Sequence, residues 1–122
     1  VEYLRDYLIT SKDLNIIEGE YSAAELDIQN DYNFIIINID GQFCSIITKD
    51  NIVTDRGNTF SFSIGDVKAY LTKASKGNKY NSKWIMANRS IIEVGFAFFE
   101  TNNNSLKFEL NGGRYWSYNK KL

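Results

Sequence analysis

Between Asn33 and Thr48 the chain reads Asn-Phe-Ile-Ile-Ile-Asn-Ile-Asp-Gly-Gln-Phe-Cys-Ser-Ile-Ile-Thr. Two β-rich runs flank Asp40-Gly41, the dipeptide that most readily takes the positive φ values of a two-residue hairpin turn. Such a turn sets the parity of both strands. Ile39 then faces Gln42, Ile37 faces Cys44 and Ile35 faces Ile46 on one side, while Phe34, Ile36, Phe43 and Ile47 share the other with Asn38 and Ser45. One face is almost wholly apolar and the other mixed, which predicts a hairpin set deep in an all-β core. A buried amide or hydroxyl left unpaired costs about 1–3 kcal/mol, so Asn38 and Ser45 must be paired within the scaffold or line a hydrated cavity.

The rest of the chain continues in short pieces. Val1, Leu4 and Leu8 stand at helical spacing and predict a short N-terminal helix, with a first strand as the alternative. Leu14 to Tyr21 reads as a strand bent at Gly19; in Ser22 to Gln29, Ala23, Ala24 and Glu25 favour helix while Leu26 and Ile28 alternate as in a strand, and strand is the favoured reading. Ile52 to Thr54 is a short strand. Thr59 to Ile64 alternates with Phe60, Phe62 and Ile64 inward; Val67 to Lys73 places Val67, Ala69 and Leu71 inward and Lys68, Tyr70 and Thr72 outward. Ala74 to Lys83 is the longest polar stretch and reads as a loop before a short strand at Trp84 to Ala87. Ser90 to Glu100 sends Ile92, Val94, Phe96 and Phe98 one way and Ile91, Glu93, Gly95, Ala97 and Phe99 the other, with Gly95 marking a bend or a close approach. Leu106 to Leu110 and Arg114 to Lys120 complete the set.

Short strands joined by short turns predict one all-β domain over residues 1–122, an antiparallel meander of about 8–10 strands. An up-and-down barrel is favoured over a two-sheet sandwich. Gly19-Glu20-Tyr21 resembles the opening of small lipocalin-like barrels, in which a Gly-x-aromatic element begins the first strand; Tyr21 stands where those barrels usually have Trp. The resemblance implies the barrel.

Three absences exclude chemistry. The chain has no His, which removes Ser-His and Cys-His catalysis and His-dependent metal sites. One Cys allows no intrachain disulfide and no thiolate zinc site, and Cys44 is expected as a small buried hydrophobe. With no Pro, the turns rely on Gly, Asn and Asp. No cofactor or metal is expected. A start at Val1 instead of Met admits a removed export signal, and with many Asn, Ser and Tyr it makes an extracellular or periplasmic setting the favoured expectation.

A net charge of -1 hides an asymmetry: residues 1–66 hold twelve acids and four bases, residues 67–122 three acids and ten bases. Whether this polarises the surface depends on how the halves sit in space. Within the basic half, Lys68, Lys73, Lys76, Lys79 and Lys83 surround Tyr70, Tyr80 and Trp84, a pattern suited to anions and stacked rings, with Lys73, Lys76, Lys79 and Lys83 expected as the anion contacts. A pI near 5.4 argues against a dedicated nucleic-acid binder. Tyr80, Trp84, Arg114, Trp116 and Tyr118 are the residues expected to make a ligand- or partner-binding surface, since flat rings beside directional donors suit a sugar or a protein. Glu18, Glu20, Glu25, Asp27 and Asp31 form an acidic run; paired carboxylates hydrolyse sugars when they flank a cleft, but solvent-facing positions on an edge strand produce the same pattern. Asp27, Asn30 and Asp31 are conceivable calcium ligands without the spacing of a known loop. The leading expectation is a non-enzymatic domain binding a small ligand, glycan or partner protein. The alternative is an inhibitor, immunity-type or host-interaction protein working through its charged faces.

Overall fold

The computed structural model describes residues 1–24, 31–55, 57–74, 76–86, 88–109 and 113–121. The elements are α1 (Glu2–Thr10), β1 (Gly19–Ala23), β2 (Phe34–Ile39), β3 (Gln42–Ile47), β4 (Asn51–Asp55), β5 (Asn58–Phe62), β6 (Val67–Lys73), β7 (Lys79–Ile85), β8 (Ile91–Glu100), β9 (Ser105–Glu109) and β10 (Tyr115–Lys120).

The central hairpin forms with the expected register: Ile39 opposite Gln42, Ile37 opposite Cys44, Ile35 opposite Ile46. Asp40 and Gly41 take φ values of 53° and 88°, and the Asn38 side-chain oxygen accepts the Gly41 amide at 2.8 Å. Asn38 is thus spent on the turn. Around this hairpin, eight strands close an antiparallel barrel in the order β1-β10-β9-β8-β7-β6-β3-β2 with lipocalin-like topology, while β4 and β5 form a separate two-stranded sheet between β3 and β6. Closure through the β1–β10 pairing removes the barrel's edges.

Each face of the hairpin is buried against something different. Phe34, Ile36, Phe43 and Ile47 turn into the barrel, where they join Tyr21, Leu71, Trp84, Phe99, Phe108 and Tyr118. Ile35, Cys44 and Ile46 turn out of the barrel and are covered by α1 through Leu4, with Val1 and Leu8 packed beside it. The helical spacing of Val1, Leu4 and Leu8 is what makes that cover, and it explains why this strand pair reads apolar on both sides. Burial pushes the Cys44 thiol up in pKa, away from reactive thiolate.

Four local expectations change. Leu14 to Glu18 is not strand. The Glu18 carboxylate accepts the Asn15 amide at 2.8 Å and the Glu18 amide bonds the Asn15 carbonyl at 2.9 Å, which closes a turn before β1. Lys79 to Lys83 is strand and not loop, with Tyr80, Ser82 and Trp84 buried and Asn81 and Lys83 exposed. Ile64 is exposed beyond the end of β5, while Phe62 is buried. The fourth change concerns parity. Ser45 pairs Ala69 and Ile46 pairs Val67, so Lys68 is an extra residue in β6. Such a bulge resets which face follows. Val67 consequently packs on the helix side and Lys68 is buried, the reverse of strict alternation. A second shift lies in β8, where Lys83 pairs Glu93 and Ser82 pairs Gly95. Gly95 takes φ 94°, a conformation L side chains rarely adopt. Ile92 therefore lies opposite Trp84, on the other side of the sheet from Phe96 and Phe98. The expected strand at Ser22 to Gln29 is observed as far as Ala23; residues 25–30 lie outside the described residues.

Candidate functional site

Rings fill the barrel. Tyr21 stacks on Phe34 at 5.3 Å, Phe34 meets Tyr118 at 4.8 Å, Phe108 lies 5.8 Å from Tyr118 and 5.1 Å from Trp84, and Trp84 packs on Trp116 at 4.9 Å. The Tyr21 hydroxyl donates to the Ile17 carbonyl at 2.6 Å, which supplies the partner a buried phenol needs. An eight-stranded barrel is just wide enough for such a filling.

This places the five expected aromatic-surface residues. Tyr80, Trp84 and Tyr118 are buried in the barrel and form no outer surface. Trp116 is half-buried against Trp84, and Arg114 is exposed just before β10. Trp84, Trp116 and Tyr118 are brought together through Phe108, whereas Tyr80 packs apart from them on Phe43 at 5.7 Å. The core is what unites them.

The carboxylates are also accounted for. Glu18 is buried and accepts the Tyr7 hydroxyl, the Asn15 amide and the Asn38 amide, each at 2.8 Å, so it joins α1, the first turn and β2. Glu20 pairs with Arg5 at 2.8 Å and Lys121 at 3.4 Å. Burial alone would raise its pKa, but the bonds from Arg5 and the charge of Lys121 outweigh it and hold the carboxyl below its ordinary value. Both groups act as ties, and neither occupies a solvated sheet edge. Asp31 is exposed and its carbonyl accepts the Asn51 side-chain amide at 2.6 Å, while Glu25, Asp27 and Asn30, the rest of the expected hydrolytic or calcium-binding sets, lie outside the described residues. Among the described residues no group of three His, Cys, Asp or Glu could hold a metal ion, and no helix is long and apolar enough to cross a membrane.

Connectivity resolves the charge asymmetry. Every barrel strand pairs with its neighbours in the meander, with β1–β10 closing the ring. The acidic half of the chain therefore occupies one arc (β1, β2 and β3, with α1 outside) and the basic half the other (β6 to β10). Along the closing seam the arcs meet as an ion pair, Lys121 on Glu20.

The cations of the basic arc divide by partner. Lys107 pairs with Glu100 at 3.0 Å and Arg89 lies 3.6 Å from Asp66. Lys73 donates to the Gly77 carbonyl, and Lys120 to the Ile16 carbonyl at 2.7 Å. Among the described residues Lys76, Lys79 and Lys83 form no ion pair, although Lys83 lies opposite Glu93. Lys79 instead sits over the Phe96 ring at 3.7 Å. A ring face attracts an ammonium but accepts few of its N–H groups, leaving them open to an anion.

These side chains form rows across the outside of the sheet. Lys79 is opposite Phe98, Phe98 opposite Lys107, and Lys107 opposite Ser117. The neighbouring row sets Thr72 opposite Asn81 and Asn81 opposite Phe96. Two open grooves lie along this face. One of about 270 Å³ is lined by Tyr70, Thr72, Asn81, Lys83, Glu93 and Phe96. The other, about 560 Å³, is lined by Lys76, Asn78, Lys79, Phe98, Lys107 and Tyr115. Of the four lysines expected as anion contacts, Lys76, Lys79 and Lys83 line grooves on this face. Lys73 is held by its own loop and by the Tyr80 ring at 5.0 Å. Phe96, Phe98, Lys107 and Tyr115 were not legible as site residues, because only strand pairing brings them beside Lys79.

A second lysine–aromatic arrangement is internal. Lys68, 2% exposed, is surrounded by three rings: its Nζ lies 4.6 Å from the centroid of Tyr32, 4.3 Å from Phe62 and 4.5 Å from Trp84. It donates to the Ile85 carbonyl at 2.5 Å. Burial, assisted by the charge of Arg89, pushes its ammonium down to about 7. Arg89 stacks on Phe62 at 4.3 Å and bonds the Ser61 carbonyl at 2.5 Å.

A closed, ring-filled barrel suits ligand or protein binding, and its outer grooves carry lysines and rings with Glu93 and Glu100 among them. Searches against protein-family models, curated proteins and solved structures found no match for this chain.

Proposed function

We propose that this is a non-enzymatic binding domain that engages an acidic partner protein through the outer face of β6 to β9. The observation that carries the reading is the pair of exposed or half-exposed cations, Lys76 and Lys79, that form no ion pair among the described residues, with Lys83 beside them on the same face opposite Glu93. A filled interior favours contact on the outside of the barrel over a ligand held within it. Segregating charge onto two arcs favours steering of an oppositely charged surface, which speeds encounter and rejects like-charged partners. An inhibitor- or immunity-type module works in this manner. An extracellular or periplasmic site of action is part of the same proposal and is tested by cell fractionation.

Poly-L-glutamate is the probe for the acidic-protein reading. The native chain should bind it, and binding should weaken sharply between about 20 mM and about 300 mM salt as screening shortens the reach of each charge. Reversing Lys79→Glu and Lys83→Glu together should weaken binding at least about tenfold. Undiminished binding by that variant sinks the proposal. A second reading, an acidic glycan, is favoured by the amides and hydroxyl of Asn78, Asn81 and Thr72 beside Phe98 and Tyr115 in the grooves. Polygalacturonate binding that persists at high salt and falls with Phe98→Ala would select it, because ring contacts are little screened.

A further inference from the structure

The enclosure of Lys68 is assembled from segments that are far apart in the chain. Tyr32 precedes β2, Phe62 ends β5, Trp84 lies in β7, and the Ile85 carbonyl leads into the turn that carries Arg89. We propose that Lys68 is a proton-operated latch on this end of the barrel: when its amine is charged, the covers Tyr32 and Phe62 part more readily and the Trp84 end opens to solvent.

The argument starts from the bulge in β6, which turns Lys68 inward where strand alternation would have left it in water. Three ring faces and one carbonyl replace only part of the hydration of an ammonium, so the charged form is the one that suffers from enclosure. The open form, with the amine in water, keeps the ordinary value of 10.5, whereas enclosure lowers it to about 7. Between those values the open form binds more protons, so falling pH favours opening. The ratio of open to closed forms should rise about fiftyfold from about pH 9 to about pH 7 and level off below about pH 6.

Among the described residues, the titratable and charged groups that face Lys68 are Tyr32, whose phenol burial pushes up to about 12, and Arg89, which itself lies 3.6 Å from Asp66. The chain has no His, the residue type that ordinarily changes charge near neutrality. Cys44 and Lys120 are also displaced from their ordinary values, so the comparison with Lys68→Met is what assigns a response in this window to Lys68.

Amide hydrogen exchange tests the latch. The Met86 amide, bonded to the Ser90 carbonyl at 2.8 Å, reports on this end of the barrel, and the Asn38 amide, bonded to the Glu18 carboxylate at 2.8 Å, reports on the far end of the central hairpin. The ratio of exchange in the native chain to exchange in Lys68→Met cancels the intrinsic pH dependence of the chemistry. At Met86 that ratio should climb about fiftyfold as pH falls from about 9 to about 7, with little change at the central hairpin. A ratio that stays flat with pH overturns the latch. An equal climb at the central hairpin also overturns it, since that is global unfolding. Arg89→Gln removes the neighbouring positive charge and should move the plateau to higher pH. If Lys68→Met does not fold, an unmoved plateau in Arg89→Gln against the native chain is the overturning result.

Discussion

Lys68 and Lys79 both place an ammonium over aromatic rings, yet they belong to opposite economies. Lys79 lies on the outer face, its charge over Phe96 and its remaining donors in water. Lys68 lies inside, with three rings around it and one carbonyl at 2.5 Å. Ring contact is common to both, so ring contact cannot be what separates them. Burial is. An exposed cation–ring contact adds about 0.5–1 kcal/mol, whereas taking an ion out of water costs several kcal/mol before any contact is counted. Lys79 is thus placed to meet an external anion, and Lys68 to make the structure around it sensitive to protons.

The largest test of this contrast is Trp84→Ala. It removes a wall of the Lys68 enclosure and the centre of the packing with Phe108 and Trp116, and should lower stability by about 3–5 kcal/mol in urea unfolding. Lys68→Met should act oppositely at neutral pH and below. The methionine fills similar volume without a charge, and a gain of about 1–4 kcal/mol is expected. The pH dependence has a definite sign. The unfolded chain holds the Lys68 proton up to 10.5 and the folded chain up to about 7, so the cost of burying the charge is full below about 7 and disappears as pH rises towards 10.5. Native stability should therefore rise by up to about 1.4 kcal/mol per pH unit across that window, and Lys68→Met should lack this contribution. A parallel pair of stability curves would break the contrast.

Gly95→Ala probes how the outer face is made. Its φ of 94° and the Glu109 oxygen 3.1 Å from an added methyl predict a loss of about 1–2 kcal/mol, mostly from backbone strain, because the Glu109 side chain can swing aside. The smallest stability effect belongs to Lys79→Ala, below about 1 kcal/mol, although the same change should weaken polyanion binding measurably. A large stability loss there would show Lys79 to be structural, like Lys68.

Part of this contrast was legible in the sequence. Asp40-Gly41 sets hairpin parity through backbone sterics alone, and every cross-strand pair from Ile39–Gln42 to Ile35–Ile46 follows from it. Val1, Leu4 and Leu8 announce a helix, and their seat against Ile35 and Cys44 explains the hairpin's second apolar face. Lys79 to Ile85 could have been read as strand, since buried Tyr80, Ser82 and Trp84 alternate with exposed Asn81 and Lys83. Its polar composition masked that period. Gly95 carried a visible bulge signal, whereas Lys68 carried none: nothing in Val67-Lys68-Ala69 reveals that an extra residue must fit opposite Ser45 and Ile46.

The sequence by itself determined the class of the fold, the meander, the central register and the opposite charges of the two halves, because periodicity, turn sterics and side-chain ionisation are local properties. Tertiary structure alone decided that eight strands close while two stand aside, that the two halves become two arcs, and that Tyr80, Trp84 and Tyr118 lie inside. It also decided that one lysine is enclosed and another left in water. Strand stagger and bulge position depend on pairing with distant residues, and that pairing sets what each side chain faces.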